Sequence, residues 1–157
     1  MTRAQRYMTM LEKHPDRLDH SYYAAFYLMS LDEMLSEQLY PYISHEGIDF
    51  PAMTEQCTGL DDRQRQMLSI AQNLFTCRSA CEVTPSEIAA LGYPILNNVC
   101  DAICIASGQA RPQIQVNDSG EQVLLLNKSK GEQTKKIYDM LSGMQNTAFE
   151  NDAVLER

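Results

Sequence analysis

"DHSYYAAFYLMSLDEMLSEQLYP", residues 19–41, is the stretch on which the fold turns. Tyr23, Phe26, Tyr27, Leu31, Met34, Leu35 and Leu39 recur at spacings of three and four, the pattern of a helix with one buried face. Asp19 or Ser21 can cap its start, and Pro41 limits its extent. The spacing therefore predicts a single helix through the whole stretch. Glu33 and Glu37 fall one turn apart on the opposite face, a like-charge pair that disfavours the helix in isolation.

Further helical patterns flank this one. Ala4, Tyr7, Met8 and Leu11 mark an amphipathic helix over residues 2–13 that His14-Pro15 ends, because the residue before proline is pushed out of helical geometry. Residues 44–60 contain two glycines and a proline without helical period and read as a surface loop. From Asp61 a long helix is expected through Cys81, with Asp61 and Asp62 at its positive end and Met67, Ile70, Ala71, Leu74, Cys77 or Arg78, and Cys81 along its stripe. Thr84, Pro85, Glu87 and Gly92 give the cap, first-turn proline, capping-box acid and closing glycine of a short helix over 85–91. Another runs from Pro94 to about Ser107.

The texture changes at Arg111. Two β-rich runs surround Asn117-Asp118-Ser119-Gly120 and predict a hairpin over 113–126. A lone hairpin is marginal in water, so Ile114, Val116, Val123 and Leu125 are expected to pack on the helices. A last helix passes through Ile137, Met140, Leu141 and Met144. The fold class expected is mainly α: one compact helical domain of five to six helices over 1–108, a hairpin plus helix over 109–147, and a flexible acidic tail over 148–157. With 157 residues and 44% hydrophobic content, such a domain needs no disulfide or metal staple.

Net charge is −8. Nine of the 21 acids lie between Arg17 and Arg63, an interval without lysine or arginine, so the whole negative excess resides there. Basic groups gather toward the ends, at Arg3, Arg6, Lys13 and Arg17 and at Lys128, Lys130, Lys135 and Lys136. No apolar run approaches a membrane span, and "MTRAQRYMTMLEKH" is not a continuous apolar signal segment, so a soluble cytoplasmic protein is expected.

Five cysteines include two Cys-x-x-x-Cys pairs, Cys77/Cys81 and Cys100/Cys104. One helical turn separates the members of each pair, so four thiolates on opposed helices could hold zinc. Neither pair sits in the glycine-rich turn usual for structural zinc. The spacing also resembles that of small mitochondrial intermembrane-space chaperones, whose helices are joined by paired disulfides, but an odd cysteine count without a secretion signal points to reduced thiols. Packing is the preferred reading, since Cys77 and Cys81 prolong a stripe and Cys100 and Cys104 border Val99, Ile103 and Ile105. No metal or cofactor is expected.

His14, His20 and His45 form no metal pair, and no phosphate loop or nucleophile elbow is present, so no enzyme is nominated. A small enzyme built on His45 would need a concave pocket there. "TPSEIAALGYPILNNVCDAICI" has the outline of a helix-turn-helix regulator, yet its second helix offers Asn97, Asn98 and Asp101 with no cation for phosphate. Direct nucleic-acid binding is therefore not expected.

The segments "AAFYLMSLDEML", "GIDFPAM", "LSIAQNLF" and "LNNVCDAICIASG" resemble an uncharacterised small helical family carried on mobile elements and phages of Gram-positive gut bacteria, over residues 5–108. That resemblance implies no reaction. It implies a protein that binds host or rival machinery, defence nucleases included. Together with the acidic interval it gives the working expectation: a non-enzymatic inhibitor that mimics nucleic acid toward a basic protein partner through Asp32, Glu33, Glu37, Glu46 and Asp49.

Overall fold

The computed structural model describes residues 1–13 and 18–155, with backbone alone over 145–155. The His14-Pro15 stop, His14 and Arg17 lie outside the described residues. Eight helices appear among the described residues, with the hairpin and final helix placed last in the chain.

Helix α1 (Arg3–Lys13) leads to α2 (His20–Met29), the centre of the molecule. Ala24, Ala25, Phe26, Leu28 and Met29 are wholly buried, so α2 is covered on every side. Its two alanines allow close neighbours, and α5 and α7 flank it. Asp19 caps it by accepting from the Ser21 and Tyr22 amides at 2.9 and 3.3 Å.

The single helix expected over 19–41 is two. Chain direction changes at Ser30–Asp32, and α3 (Glu33–Leu39) starts from Asp32, whose extended backbone and carboxylate, accepting from Leu35 N at 2.9 Å, make it a helix cap. A helix that ends inside the core leaves carbonyls needing donors. Each one here has a donor. Ser30 N reaches Phe26 O and Leu31 N reaches Leu28 O. Tyr27 O accepts from Ser30 Oγ at 2.8 Å and from Arg3 Nη2 at 3.0 Å. The buried Ser36 hydroxyl donates to Met29 O at 2.9 Å. Arg6, itself buried, donates from Nε to Ser30 O at 2.9 Å and from Nη2 to Leu31 O at 3.4 Å. The break therefore depends on partners from α1 and α3. Met34, assigned to the apolar face of a continuous helix, is 45% exposed once the chain turns.

A 3-10 turn (Tyr40–Tyr42) follows, then β1 (Ile43–Ser44) pairs antiparallel with β2 (Gly47–Ile48). Helix α4 (Phe50–Gln56) opens with Asp49 as cap, accepting from Ala52 N at 3.0 Å, and with Pro51 in its first turn. The 44–60 region is thus structured, and Phe50 and Met53 belong to the core. Helix α5 (Asp62–Phe75) begins with a full capping box between Asp61 and Gln64. It stops six residues earlier than expected, at Thr76, where Asn73 Nδ2 donates to Ser79 O at 2.7 Å and holds a turn. Helix α6 (Pro85–Ala90) carries the expected Thr84–Glu87 box, and α7 (Ile95–Ala106) buries Val99, Ala102 and Ile105 against α2.

Strands β3 (Arg111–Val116) and β4 (Gln122–Asn127) pair with Val116 opposite Gln122 and Ile114 opposite Leu124. The loop runs 117–121, one residue longer than Asn117–Gly120 alone, held by Asn117 Oδ1 accepting from Glu121 N at 2.8 Å. One extra residue reverses the facing of the second strand. Ile114, Leu124 and Leu126 therefore pack on the core beside buried Pro112, while Val123 and Leu125 take the outer face and Val116, near the tip, is exposed. Arg111 over the Tyr23 ring and Lys128 on Asp101 at 2.7 Å anchor the hairpin's base.

Helix α8 (Ser129–Leu155) is far longer than expected, and the segment read as a tail from 148 is helical to Leu155. Among the described residues no helix is long and apolar enough to cross a membrane.

Arg6→Met keeps the aliphatic bulk but strips two buried carbonyls of their donor, and is expected to lower unfolding free energy by about 3 kcal/mol. Urea denaturation measures it, and a loss below about 1 kcal/mol would refute the capping role.

Candidate protein-binding surfaces

The five acids singled out from the sequence separate into two kinds. Asp32 and Asp49 are helix caps, their carboxylates engaged with backbone amides. Asp32 also accepts from Gln64 Nε2 at 3.1 Å, and the same Gln64 side chain accepts from Asp61 N, so one amide joins the starts of α3 and α5. Glu33 accepts from the Met1 ammonium at 3.0 Å, with Arg6 Nη1 at 3.9 Å. The hydrogen bond and charge of that ammonium hold the Glu33 carboxyl below the usual range. Glu37 and Glu46 are different. Both are exposed and neither caps a helix. Glu46 sits in the β1–β2 turn, its carboxylate 3.9 Å from the exposed His45.

Around that turn lies a shallow hollow of about 350 Å³ lined by Glu46, Gly47, Ile48 and Asp49, without His45 on its wall. A narrower cavity of about 280 Å³ between α4 and α5 is lined by Cys57, Leu60, Arg65, Leu68 and Ser69. Burial pushes the Cys57 thiol up, which keeps it protonated and poorly nucleophilic at neutral pH.

The cysteine pairs correct the packing expectation by half. With α5 ending at Phe75, Cys77 stands exposed in the following turn, and the first pair does not share a helix face. Cys81 packs against the core and accepts from Ser69 Oγ at 3.7 Å. Cys104 is likewise half-buried and Cys100 exposed. Among the described residues no group of three or more His, Cys, Asp and Glu is placed to hold a metal.

Helix α7 uses its polar groups internally. Asn98 donates to Pro94 O at 2.8 Å, and Asp101 accepts from Tyr27 Oη at 3.3 Å and pairs with Lys128. Only Asn97 of the trio is exposed.

The surface that sequence reasoning did not single out is α8. Its start is fixed by Gly131 N donating to Gln109 O at 3.0 Å. Beyond that point no side chain through Met144 is buried. Ile137, Tyr138, Met140, Leu141 and Met144 are 52–70% exposed. The apolar period was visible in the sequence, but nothing in a period says whether its face is covered.

No family model matches the chain, and neither a curated protein nor a solved structure is similar enough to it to carry an argument.

A brief exposure of native protein to a thiol reagent is expected to label Cys77 and Cys100 first, with Cys57 slower by about tenfold and accelerating as pH rises and its thiolate forms. Peptide mass mapping reads the order. Early labelling of Cys57 would contradict its burial.

Proposed function

We propose that the protein acts by binding other proteins, without catalysis, and that α8 is its principal binding element. The observation that carries this reading is the row of five large apolar side chains exposed on α8, beside a helical body whose own core is already closed. An isolated helix is marginal in water and gains most of its stability from packing one face. Contiguous exposed apolar groups on such a helix mark an interaction surface.

Partner chemistry draws on the body. The residues 18–62 carry the negative excess, and Glu37 and Glu46 are exposed acids not spent on helix ends. Their complement is a basic surface. The narrower form of this reading is an inhibitor that occupies the nucleic-acid channel of a defence effector, supported by the family resemblance over residues 5–108 together with this charge.

Affinity capture from host lysate by the wild type, by Ile137→Asp/Leu141→Asp and by Glu37→Lys/Glu46→Lys tests both parts. A partner held by the wild type and lost with the α8 variant supports α8 as the binding element. Loss with the Glu→Lys variant and at raised salt supports the acidic surface. A partner retained equally by all three removes both readings.

A further inference from the structure

The wall of the cavity between α4 and α5 is sorted by polarity. Arg65, Leu68, Ser69 and Gln72 fall at i, i+3, i+4 and i+7 of α5, so one face of that helix borders the cavity over about 10 Å. Arg65 stands toward the start of the helix and Gln72 toward its end, with Leu68 between them. Leu60 and Cys57, from the chain that joins α4 to α5, supply further apolar wall.

The hydroxyls on this wall are already committed. Thr54 donates to Phe50 O at 2.9 Å and Ser69 to Cys81 Sγ at 3.7 Å. The Gln72 side-chain amide has no hydrogen-bond partner among the described residues. Arg65 has one ionic partner among them, Asp62 at 3.7 Å, and that carboxylate is 99% exposed, so the pair is weak and the guanidinium keeps donors to spare. Glu82 and Glu87 line the next hollow beyond Arg65 without pairing with it, and Glu87 is held by Thr84. No acid is among the residues lining the cavity itself.

A slot with a guanidinium toward one end, aliphatic walls and a volume of about 280 Å³ suits a short chain of about ten non-hydrogen atoms with one anionic head. The planar fork of arginine matches a carboxylate, which brings one charge to one cation, whereas a phosphate would bring nearly two into a protein of net charge −8. We propose that this cavity binds a small amphipathic monocarboxylate, its head on Arg65, its chain against Leu60, Leu68 and Cys57, and its far end near Gln72. The site involves no residue of α8, and neither reading depends on the other.

Calorimetric titration of the purified full chain with octanoate, joined to timed thiol labelling, tests it. Octanoate is expected to bind with a Kd of about 100 µM, within what ten well-placed atoms support. At saturation it should slow labelling of Cys57 about tenfold while Cys77 and Cys100 react as before. Octanamide keeps the chain without the charge and acetate keeps the charge without the chain, and each should bind at least about tenfold more weakly. Arg65→Gln, at an exposed position, should leave the melting temperature unchanged and cut octanoate affinity about tenfold. Equal affinity for octanamide, or for octanoate in the variant, would mean an unselective apolar hollow and overturn the proposal. A Cys57 that labels at an unchanged rate in about 5 mM octanoate would overturn it as well.

Discussion

The molecule is organised around a helix that ends in the wrong place for a backbone. Helix α2 is covered on all sides, and its last carbonyls face protein where water would ordinarily satisfy them. Local amides supply two donors; the remainder come from Arg3 and Arg6, one turn apart on α1, and from Ser30 and Ser36. Arginine suits this task because its planar fork reaches two carbonyls from one side chain, and its charge strengthens each bond beside the negative end of a helix dipole. The same guanidinium groups fix α1 on the body, with Arg3 lying over the Tyr27 ring at 4.3 Å. Two of the residues that had seemed part of a basic patch are therefore interior structure.

What could be read from residues alone followed the range of the interaction. Thr84 with Glu87, Asp19 and Asp61 are signals complete within four residues, and the helix starts they mark are found in place. The break at Ser30 was not legible, because the apolar period runs through it and the groups that make it tolerable are contributed from residues 3, 6 and 36. The hairpin shows the same limit at smaller scale. Its existence was evident from turn-forming residues, but Glu121 closing onto Asn117 lengthened the loop by one and reversed the facing of β4. Cys77 was misplaced by extrapolating a stripe past Thr76, where Asn73 ends the helix through Ser79.

The acidic interval illustrates how a charge count differs from a charged surface. Asp19, Asp32, Asp49 and Asp61 all stand at helix starts, where amides and the positive end of the dipole draw on their charge. A run of short helices needs many such caps, and aspartate is among the best at the position. Part of the negative excess is thus a by-product of breaking the chain into many helices. Exposed Glu37 and Glu46 carry charge that no helix start draws on, and nothing in the composition distinguishes the two groups. Position relative to a helix start does.

The hairpin also binds the beginning of the chain to its later part, because α1 packs against β4 and their neighbouring residues line one shallow hollow. That placement has a consequence for synthesis. During synthesis α1 cannot complete its packing until a strand more than a hundred residues downstream has emerged. Contacts of such sequence separation raise the entropic cost of the transition state and slow folding. Meanwhile α1 can offer its arginines to α2 early, so the nascent chain holds a half-docked N-terminus with one apolar side bare. Truncated products ending before the hairpin would share that state, and a chaperone would meet the same apolar side of α1 in both.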